Sequence, residues 1–472
     1  MNRPIRRVAI AALAMFALLL LNLSASYLVR SDALNNRPEN RRVSDARFAQ
    51  DRGPIMVGNS PIAISEPVKD RFKFQRSYPS AKLYAPVTGY YSYIFGSSGL
   101  ERSFSEQLIG VDDSQFLDRL INLLTGATPR GASVETTLDA RAQRAAWKGL
   151  DGRKGAVVAL DTSTGAIRAL VTSPSFDPND LATHDLDASR RAWEKLNKDG
   201  SRPMANRATR EIYPPGSTFK LITAAAALEA GRSADDTIDA TAYKLPGSTV
   251  VIRGNCGGSE VTLTRALEVS CNPGFARLGA ELGADALREQ AERFGFGDQF
   301  LGEIGSAASR FPGEPDAAQT AMSAIGAFDV AASPLQMAMV AAAVANDGIV
   351  MEPYLVERVL SADLAVISQT RPRQHSTAVS EVVAAELRDM MVSVVENGTG
   401  RRAQVEGLTV GGKTGTAVTD EKRRPYAWFV AFAEELDLAV CVFIEDAEIP
   451  ATDIAGGILA APIARSVIEA VR

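Results

Sequence analysis

Histidine is almost missing from this chain of 472 residues, which holds only His184 and His375. Cysteine is as scarce, at Cys256, Cys271 and Cys441, and none of these residues falls into a metal-ligand spacing. A structural zinc site, a triad built on imidazole and a disulfide scaffold are therefore not expected, and neither is a cofactor. An excess of positive charge is missing too. A net charge of -5 gives no basic field of the kind that binds nucleic acid by releasing counterions, so DNA and RNA are not expected partners. Lysine occurs at only eleven of the 51 basic positions, so each lysine is worth locating. What is present is ordinary. With 46% hydrophobic and 23% charged residues the chain is globular rather than disordered or collagen-like, and its length allows roughly three folding units.

One uncharged run stands out. Val8 to Val29 covers about 22 residues, which at about 1.5 Å per residue spans a hydrocarbon core of about 30 Å. Arg3, Arg6 and Arg7 precede it as in a secretory signal, but the apolar stretch is longer than that of a cleavable one. Residues 1–7 thus read as a cytoplasmic tail and 8–29 as an uncleaved, single-pass signal anchor in the cell membrane, with cleavage near Ser24-Ala25-Ser26 as the alternative. Arg30, Arg37, Arg41 and Arg42 follow the span, yet a long domain translocates largely regardless of such charges. The bulk of the chain is expected outside the cytoplasm.

Residues 30–150 are rich in Arg, Ser, Pro and Tyr, hold short apolar runs and lack a long helical period, which predicts an irregular, strand-containing stalk. Tyr90, Tyr91, Tyr93 and Phe95 are expected to pack this stalk, and His184 and His375, in polar stretches, to be exposed. A second unit, 151–472, opens on two apolar runs, Ala156 to Asp161 and Ala166 to Val171, joined by Thr162-Ser163-Thr164-Gly165, which is a hairpin signal. Ala-rich stretches at 217–230, 261–269, 279–294 and 334–346 predict helices. Leu408 to Ala417, Ala427 to Ala433 and Asp437 to Ile444 predict three more strands, and Ile454 to Val471 a terminal helix. Strands at both ends of a helical interior give an α+β domain whose sheet is assembled from distant segments.

The chemistry begins at Ser217, three residues before Lys220 at the start of the apolar run LITAAAALEAG. Residues at i and i+3 share a helix face. A serine hydroxyl needs a base, and with histidine so scarce a desolvated lysine amine is the available kind. Backbone N–H groups at a helix start can also hold an oxyanion. Alone the pattern is weak, because Ser-x-x-Lys arises by chance about once in such a chain. Ser270-Cys271-Asn272 sets a hydroxyl and an amide two residues apart, suited to relaying a proton and holding a substrate amide. Lys413-Thr414-Gly415-Thr416 lies in the apolar-flanked strand LTVGGKTGTA, where glycine permits close approach of another backbone and the lysine and hydroxyls suit a carboxylate.

In this order these three motifs resemble those of active-site serine penicillin-recognising enzymes. The resemblance extends to Arg52-Gly53-Pro54-Ile55, Gly99-Leu100-Glu101, Thr137-Leu138-Asp139 with Gln143, Asn206-Arg207-Ala208, Tyr213 to Lys220, Ser333-Pro334-Leu335-Gln336 and Glu396 to Gly400. Together they look like class B penicillin-binding proteins, most like the actinobacterial PbpA-type subgroup. Two departures are visible. IMVGNSPIAIS follows Gly53 where larger class B proteins carry an Asp-Arg-Asn-Gly run, and Ala327 stands after Gly326 where many relatives have glutamine.

The resemblance implies a penicillin-binding/β-lactamase-like transpeptidase domain, an antiparallel sheet flanked by helices plus an all-α part. It also implies a peptidoglycan D,D-transpeptidase of division or septal wall synthesis, inhibited covalently by β-lactams. Ser217 would be the acylated nucleophile and Lys220 its base. Ser270 and Lys413 would carry the proton to the leaving D-alanine, and Asn272 would hold the substrate's amide. Lys413, Thr414, Gly415 and Thr416 would form the substrate strand, with the Ser217 and Thr416 N–H groups as oxyanion hole. The donor would be a stem peptide ending in D-Ala-D-Ala and the acceptor an amine on a neighbouring stem. A SEDS-type glycosyltransferase and divisome proteins would be partners. A D,D-carboxypeptidase is the nearest rival. A serine β-lactamase or a membrane β-lactam sensor is further off, given the anchor, the stalk and the seven residues before the span. Cys256 and Cys271, close in sequence and expected outside the cell, are a candidate disulfide, whereas Cys441 in AVCVF is expected as a buried free thiol.

Overall fold

A computed structural model describes residues 3–30, 45–46, 48–112, 130–417, 424–447, 449–450 and 453–472. The first element is the helix Arg3–Val29, of which Arg3–Tyr27 is long and apolar enough to cross a membrane once, and whose apolar side chains find no cover in the rest of the protein.

Two sheets organise the remainder. The larger domain is built on a five-stranded antiparallel sheet in the order Val410–Ala417, Tyr426–Ala433, Leu438–Asp446, Lys154–Asp161, Ile167–Ser173. The N-terminal hairpin of the domain thereby pairs with strands nearly 300 residues later, Val440 opposite Ala159 and Cys441 opposite Val158. The inner strands are buried on both faces, so they read as continuous apolar runs rather than as alternations. Alternate residues nevertheless serve different layers. Val157, Ala159, Phe429 and Ala431 pack under the helices Ala140–Leu150 and Ala461–Val471. Val158, Leu160, Trp428, Val430 and Phe432 face the opposite layer with Lys220–Glu229 and Pro334–Ala345. The result is α+β, with helices on both faces.

The stalk sheet has six strands, in the order Val366–Gln369, Val356–Leu360, Ser133–Thr136, Ile55–Val57, Ser60–Pro67, Phe74–Ser77. Its first two strands come from beyond residue 350, so the hairpin 356–369 belongs to the stalk sheet by pairing although it lies far along the chain. Sequence periodicity cannot reveal this, because pairing partners are not encoded in the strand's own pattern. The helix Glu381–Glu396 was also not foreseen. Its buried face, Val383, Ala384, Leu387, Met390, Met391, Val394 and Val395, follows the helical spacing, and Ser380 caps it.

Beneath the stalk sheet lies an ionic cluster that joins two of the motifs noted in the sequence. Glu101 is fully buried, accepting from Arg52 Nε at 2.5 Å and Arg76 Nε at 2.6 Å, with the Tyr78 hydroxyl at 3.1 Å. Arg52 also donates to the Glu101 carbonyl, and Arg76 to those of Arg52 and Gly53. Burial opposes the Glu101 charge, but the Arg76 and Arg52 guanidiniums prevail and hold its carboxyl below the usual range.

The aromatic residues of the stalk pack as expected, Phe95 stacking on Trp193 and Tyr91 on Phe48. The histidines do not stand free as expected. The His184 side chain is 13% exposed, with its ring against Phe48 and Phe72 and its Nδ1 2.5 Å from Asp70, and His375 lies against Phe300 and Asp298. Polar neighbours in sequence said nothing of the aromatic surface that the fold brings to each ring. Cys256 and Cys271 are disulfide-bonded, whereas Cys441 is a buried free thiol.

Candidate active site

Ser217 sits in the 3-10 turn Gly216–Phe219, and Lys220 begins the helix that follows. In a 3-10 turn residues i and i+3 eclipse, which lines up serine and lysine more closely than an α-helix would. The turn depends on two glycines set back to back. Gly216 has φ +53 and donates to the Gly326 carbonyl at 3.0 Å. A Cβ on Gly326, itself at φ +71, would lie 2.0 Å from the Gly216 oxygen. Behind the turn, the buried Trp428 donates from Nε1 to the Pro214 carbonyl at 3.0 Å, so the central sheet fixes the position of the serine.

Ser270 is the centre of the constellation. Its φ of +59, uncommon for a residue with a Cβ, comes just after the helix Leu263–Glu268 and immediately before Cys271, the N-cap of the helix Asn272–Leu282. Lys220 Nζ lies 3.2 Å from Ser270 Oγ and Lys413 Nζ 3.0 Å from the same oxygen. Lys220 also donates to the Ser270 carbonyl and to Asn272 Oδ1, both at 2.7 Å, and Lys413 to the Thr414 carbonyl at 2.9 Å. With its Oδ1 accepting from Lys220, Asn272 leaves its NH2 group for a ligand. Among the described residues no hydrogen bond joins the Ser217 hydroxyl to Lys220, and none from the Ser217 N–H is formed.

Both lysines are fully buried, and no carboxylate partners them among the described residues. Burial first, and then the charge of Lys413, pushes the Lys220 amine well below the ordinary lysine range. Burial alone brings Lys413 down to about 7. An amine that gives up its proton near neutrality can take one from a hydroxyl.

Lys413, Thr414, Gly415 and Thr416 lie on the outermost strand of the five-stranded sheet, against the serine turn. Ser217, Ser270, Asn272, Thr414 and Thr416 line one cleft of about 500 Å³. The residues singled out in the three motifs thus converge, with both lysines buried behind the lining and joined to it through Ser270. A chain with this constellation can form an ester on Ser217 and offer an edge strand to an extended peptide.

Comparison with known proteins gives the family. The model of the penicillin-binding protein transpeptidase domain matches residues 155–469. The chain belongs to the penicillin-binding protein transpeptidases. Within them it is of the class B, PbpA type: it is 45% identical to the peptidoglycan D,D-transpeptidase PbpA of Mycolicibacterium smegmatis over 100% of this chain and 99% of that protein. It is 42% identical to the PbpA of Mycobacterium tuberculosis over the same shares. The structure of penicillin-binding protein A from M. tuberculosis as a ceftriaxone acyl-enzyme superposes with a TM-score of 0.87 at 41% identity, covering 90% of this chain and 99% of that one. A penicillin-binding protein A dimerisation domain matches residues 52–134, the segment that holds Arg52, Arg76 and Glu101.

Some cleft residues of this penicillin-binding protein were not singled out for a role in the sequence. Thr399, inside the noted Glu396 to Gly400 motif, shares a 2.8 Å hydroxyl contact with Thr414. Arg401, Arg402 and the segment Ala455 to Ile458 complete the walls. The motif was visible, but its placement beside Thr414 depends on the packing of the helix Glu381–Glu396 on the substrate strand. The charged run Asp420 to Arg424, whose composition reads as a solvated hairpin tip between the strands 410–417 and 426–433, lies outside the described residues apart from Arg424.

Proposed function

We propose that this chain cross-links peptidoglycan stem peptides in septal wall synthesis through an acyl-enzyme on Ser217. The observation that carries this is the Ser270 hydroxyl held 3.2 Å from one buried lysine and 3.0 Å from another beside the cleft serine. Ser217 Oγ attacks the carbonyl carbon between the two D-alanines while Lys220 takes its proton, and the Ser217 and Thr416 N–H groups receive the developing oxyanion. The proton passes through Ser270, with Lys413 as its second partner, to the departing amine, so free D-alanine leaves neutral in sum and the ester remains. An acceptor amine then reverses the sequence, and its peptide bond to the donor replaces the ester. The Asn272 NH2 holds a carbonyl of the donor, and Lys413, Thr414 and Thr416 hold its terminal carboxylate.

In this reading the N-terminal helix anchors the enzyme in the cell membrane, with most of residues 30–150, joined by the hairpin 356–369, as an extracytoplasmic pedestal and the rest of 151–472, together with the helix Ala140–Leu150, as the catalytic unit. A SEDS-type glycosyltransferase supplies the glycan strands, and divisome proteins locate the work. β-Lactams mimic the donor and stay as esters, because among the described residues no base beyond the two lysines is committed to activating water.

The test is peptide mapping of the adduct after reaction with benzylpenicillin. Label confined to the Ser217 peptide and lost in Ser217→Ala supports the assignment, and label retained in that variant refutes it. Exchange of a thioester donor onto a D-amino acid should outpace release of free acid; the reverse would make the enzyme a carboxypeptidase.

A further inference from the structure

Among the described residues none of the side chains lining the catalytic cleft is a carboxylate, and two are arginines, Arg401 and Arg402. Both lie exposed in the short turn Arg401–Ala403. Arg401 donates through Nε to the Glu396 carbonyl at 3.3 Å and through Nη2 to the Asn397 carbonyl at 3.0 Å. Arg402 reaches the Ile458 carbonyl with Nη1 at 3.4 Å, on another segment of the cleft wall. These partners are neutral, so the bonds hold the guanidiniums in place without cancelling their charge. Neither arginine forms an ion pair among the described residues.

The two lysines behind Ser270 are poorly suited to attract an anion from a distance. They are fully buried, and burial brings Lys413 down to about 7. A guanidinium on the surface is a fixed positive charge. Positive charge at the mouth of a cleft whose described lining holds no acidic group raises the local concentration of anions and their rate of entry. Two residues before Arg401, the Thr399 hydroxyl contacts that of Thr414, so the turn bearing the arginines is coupled directly to the substrate strand.

We propose that Arg401 and Arg402 form a capture site for the carboxylate of the incoming substrate, delivering it to Lys413, Thr414 and Thr416 and setting how fast Ser217 is loaded. This rests on Ser217 being the acylated nucleophile. The arginines are positioning residues. They act on the encounter, and the chemical step belongs to the groups beneath. The same capture serves a D-Ala-D-Ala peptide and a β-lactam, which share a carboxylate.

The experiment compares benzylpenicillin with its neutral methyl ester on the full-length protein in detergent, at low and high salt. In Arg401→Gln/Arg402→Gln the second-order acylation constant for benzylpenicillin should fall about tenfold, with its salt dependence flattened. The rate at saturating benzylpenicillin and the constant for the methyl ester should change much less. Arg401→Lys/Arg402→Lys should restore most of the loss, which separates missing charge from a disturbed turn. Equal losses for the acid and the ester, a loss confined to the saturated rate, or no loss at all would each overturn the capture site. Failure of the unaltered protein to form any adduct would overturn the Ser217 assignment and the capture site with it.

Discussion

In the stalk, Arg52 and Arg76 are buried against the carboxylate of Glu101; in the cleft, Lys220 and Lys413 are buried against a serine hydroxyl, with no carboxylate partner among the described residues. Each place removes two cations from water, but only the stalk supplies a compensating charge. Burying a charge costs several kcal/mol unless it is paired, and the unpaired group responds by giving up its proton. Glu101 therefore stays ionised below the usual carboxyl range, whereas both lysines are driven below theirs. The stalk cluster holds strands and helices in register. The cleft cluster keeps amines ready to exchange protons, and the difference lies in one carboxylate.

The two clusters should answer oppositely to removal of a charge. Glu101→Gln leaves two buried guanidiniums without an anion and should destabilise the protein by about 3–5 kcal/mol, seen as a lowered midpoint in thermal unfolding. Penicillin acylation by the molecules that remain folded should persist, since Glu101 lies outside the cleft. Ser270→Ala removes the hydroxyl shared by both lysines and should slow acylation by about 10²- to 10³-fold while the unfolding midpoint moves little. Lys220 keeps the Ser270 carbonyl and Asn272 Oδ1 as acceptors, and Lys413 the Thr414 carbonyl.

The clusters should also separate along the pH axis. The depressed Glu101 contributes stability that is present above the unfolded carboxyl value of 4.5 and is lost as pH falls through its folded value. For Lys413 the window lies elsewhere. Between about 7 and 10.5 the unfolded chain binds a proton that the folded chain has released, so stability from this group rises with pH there. Acylation should go the other way. Below about 7 Lys413 is charged and holds a carboxylate, so the second-order constant for benzylpenicillin should fall as pH rises past that point, up to about tenfold per unit. At saturation the bound carboxylate stabilises the ammonium, and the falling limb should move to higher pH. A constant indifferent to pH across this range would contradict the role given to Lys413.

The sequence shows the cleft cluster far better than the stalk cluster, for a physical reason. Catalysis needs particular residue types at short spacings, so Ser217 with Lys220, Ser270 with Asn272 and Lys413 with Thr416 can be read locally. The long strands near 155–171 and 426–446 were legible because burial on both faces leaves nearly unbroken apolar runs. What joins Arg52 to Glu101, or the hairpin 356–369 to the stalk sheet, is long-range pairing that leaves no local periodicity. Ser270 is a mixed case. Its identity was legible, but its left-handed backbone, which accompanies the placement of its hydroxyl between two lysines, was not. The half-buried His184 was misjudged because its aromatic neighbours Phe48 and Phe72 lie more than a hundred residues away.

The contrast between a paired and an unpaired buried charge is tested most directly in Lys220→Met, by measuring thermal unfolding and benzylpenicillin acylation on the same preparation. A methionine replaces a buried, uncompensated amine by an apolar chain of similar length. The account predicts an unfolding midpoint equal to or above that of the unaltered protein, together with an acylation constant lower by about 10⁴-fold. A midpoint depressed as far as that of Glu101→Gln, or acylation within tenfold of the unaltered protein, would contradict it.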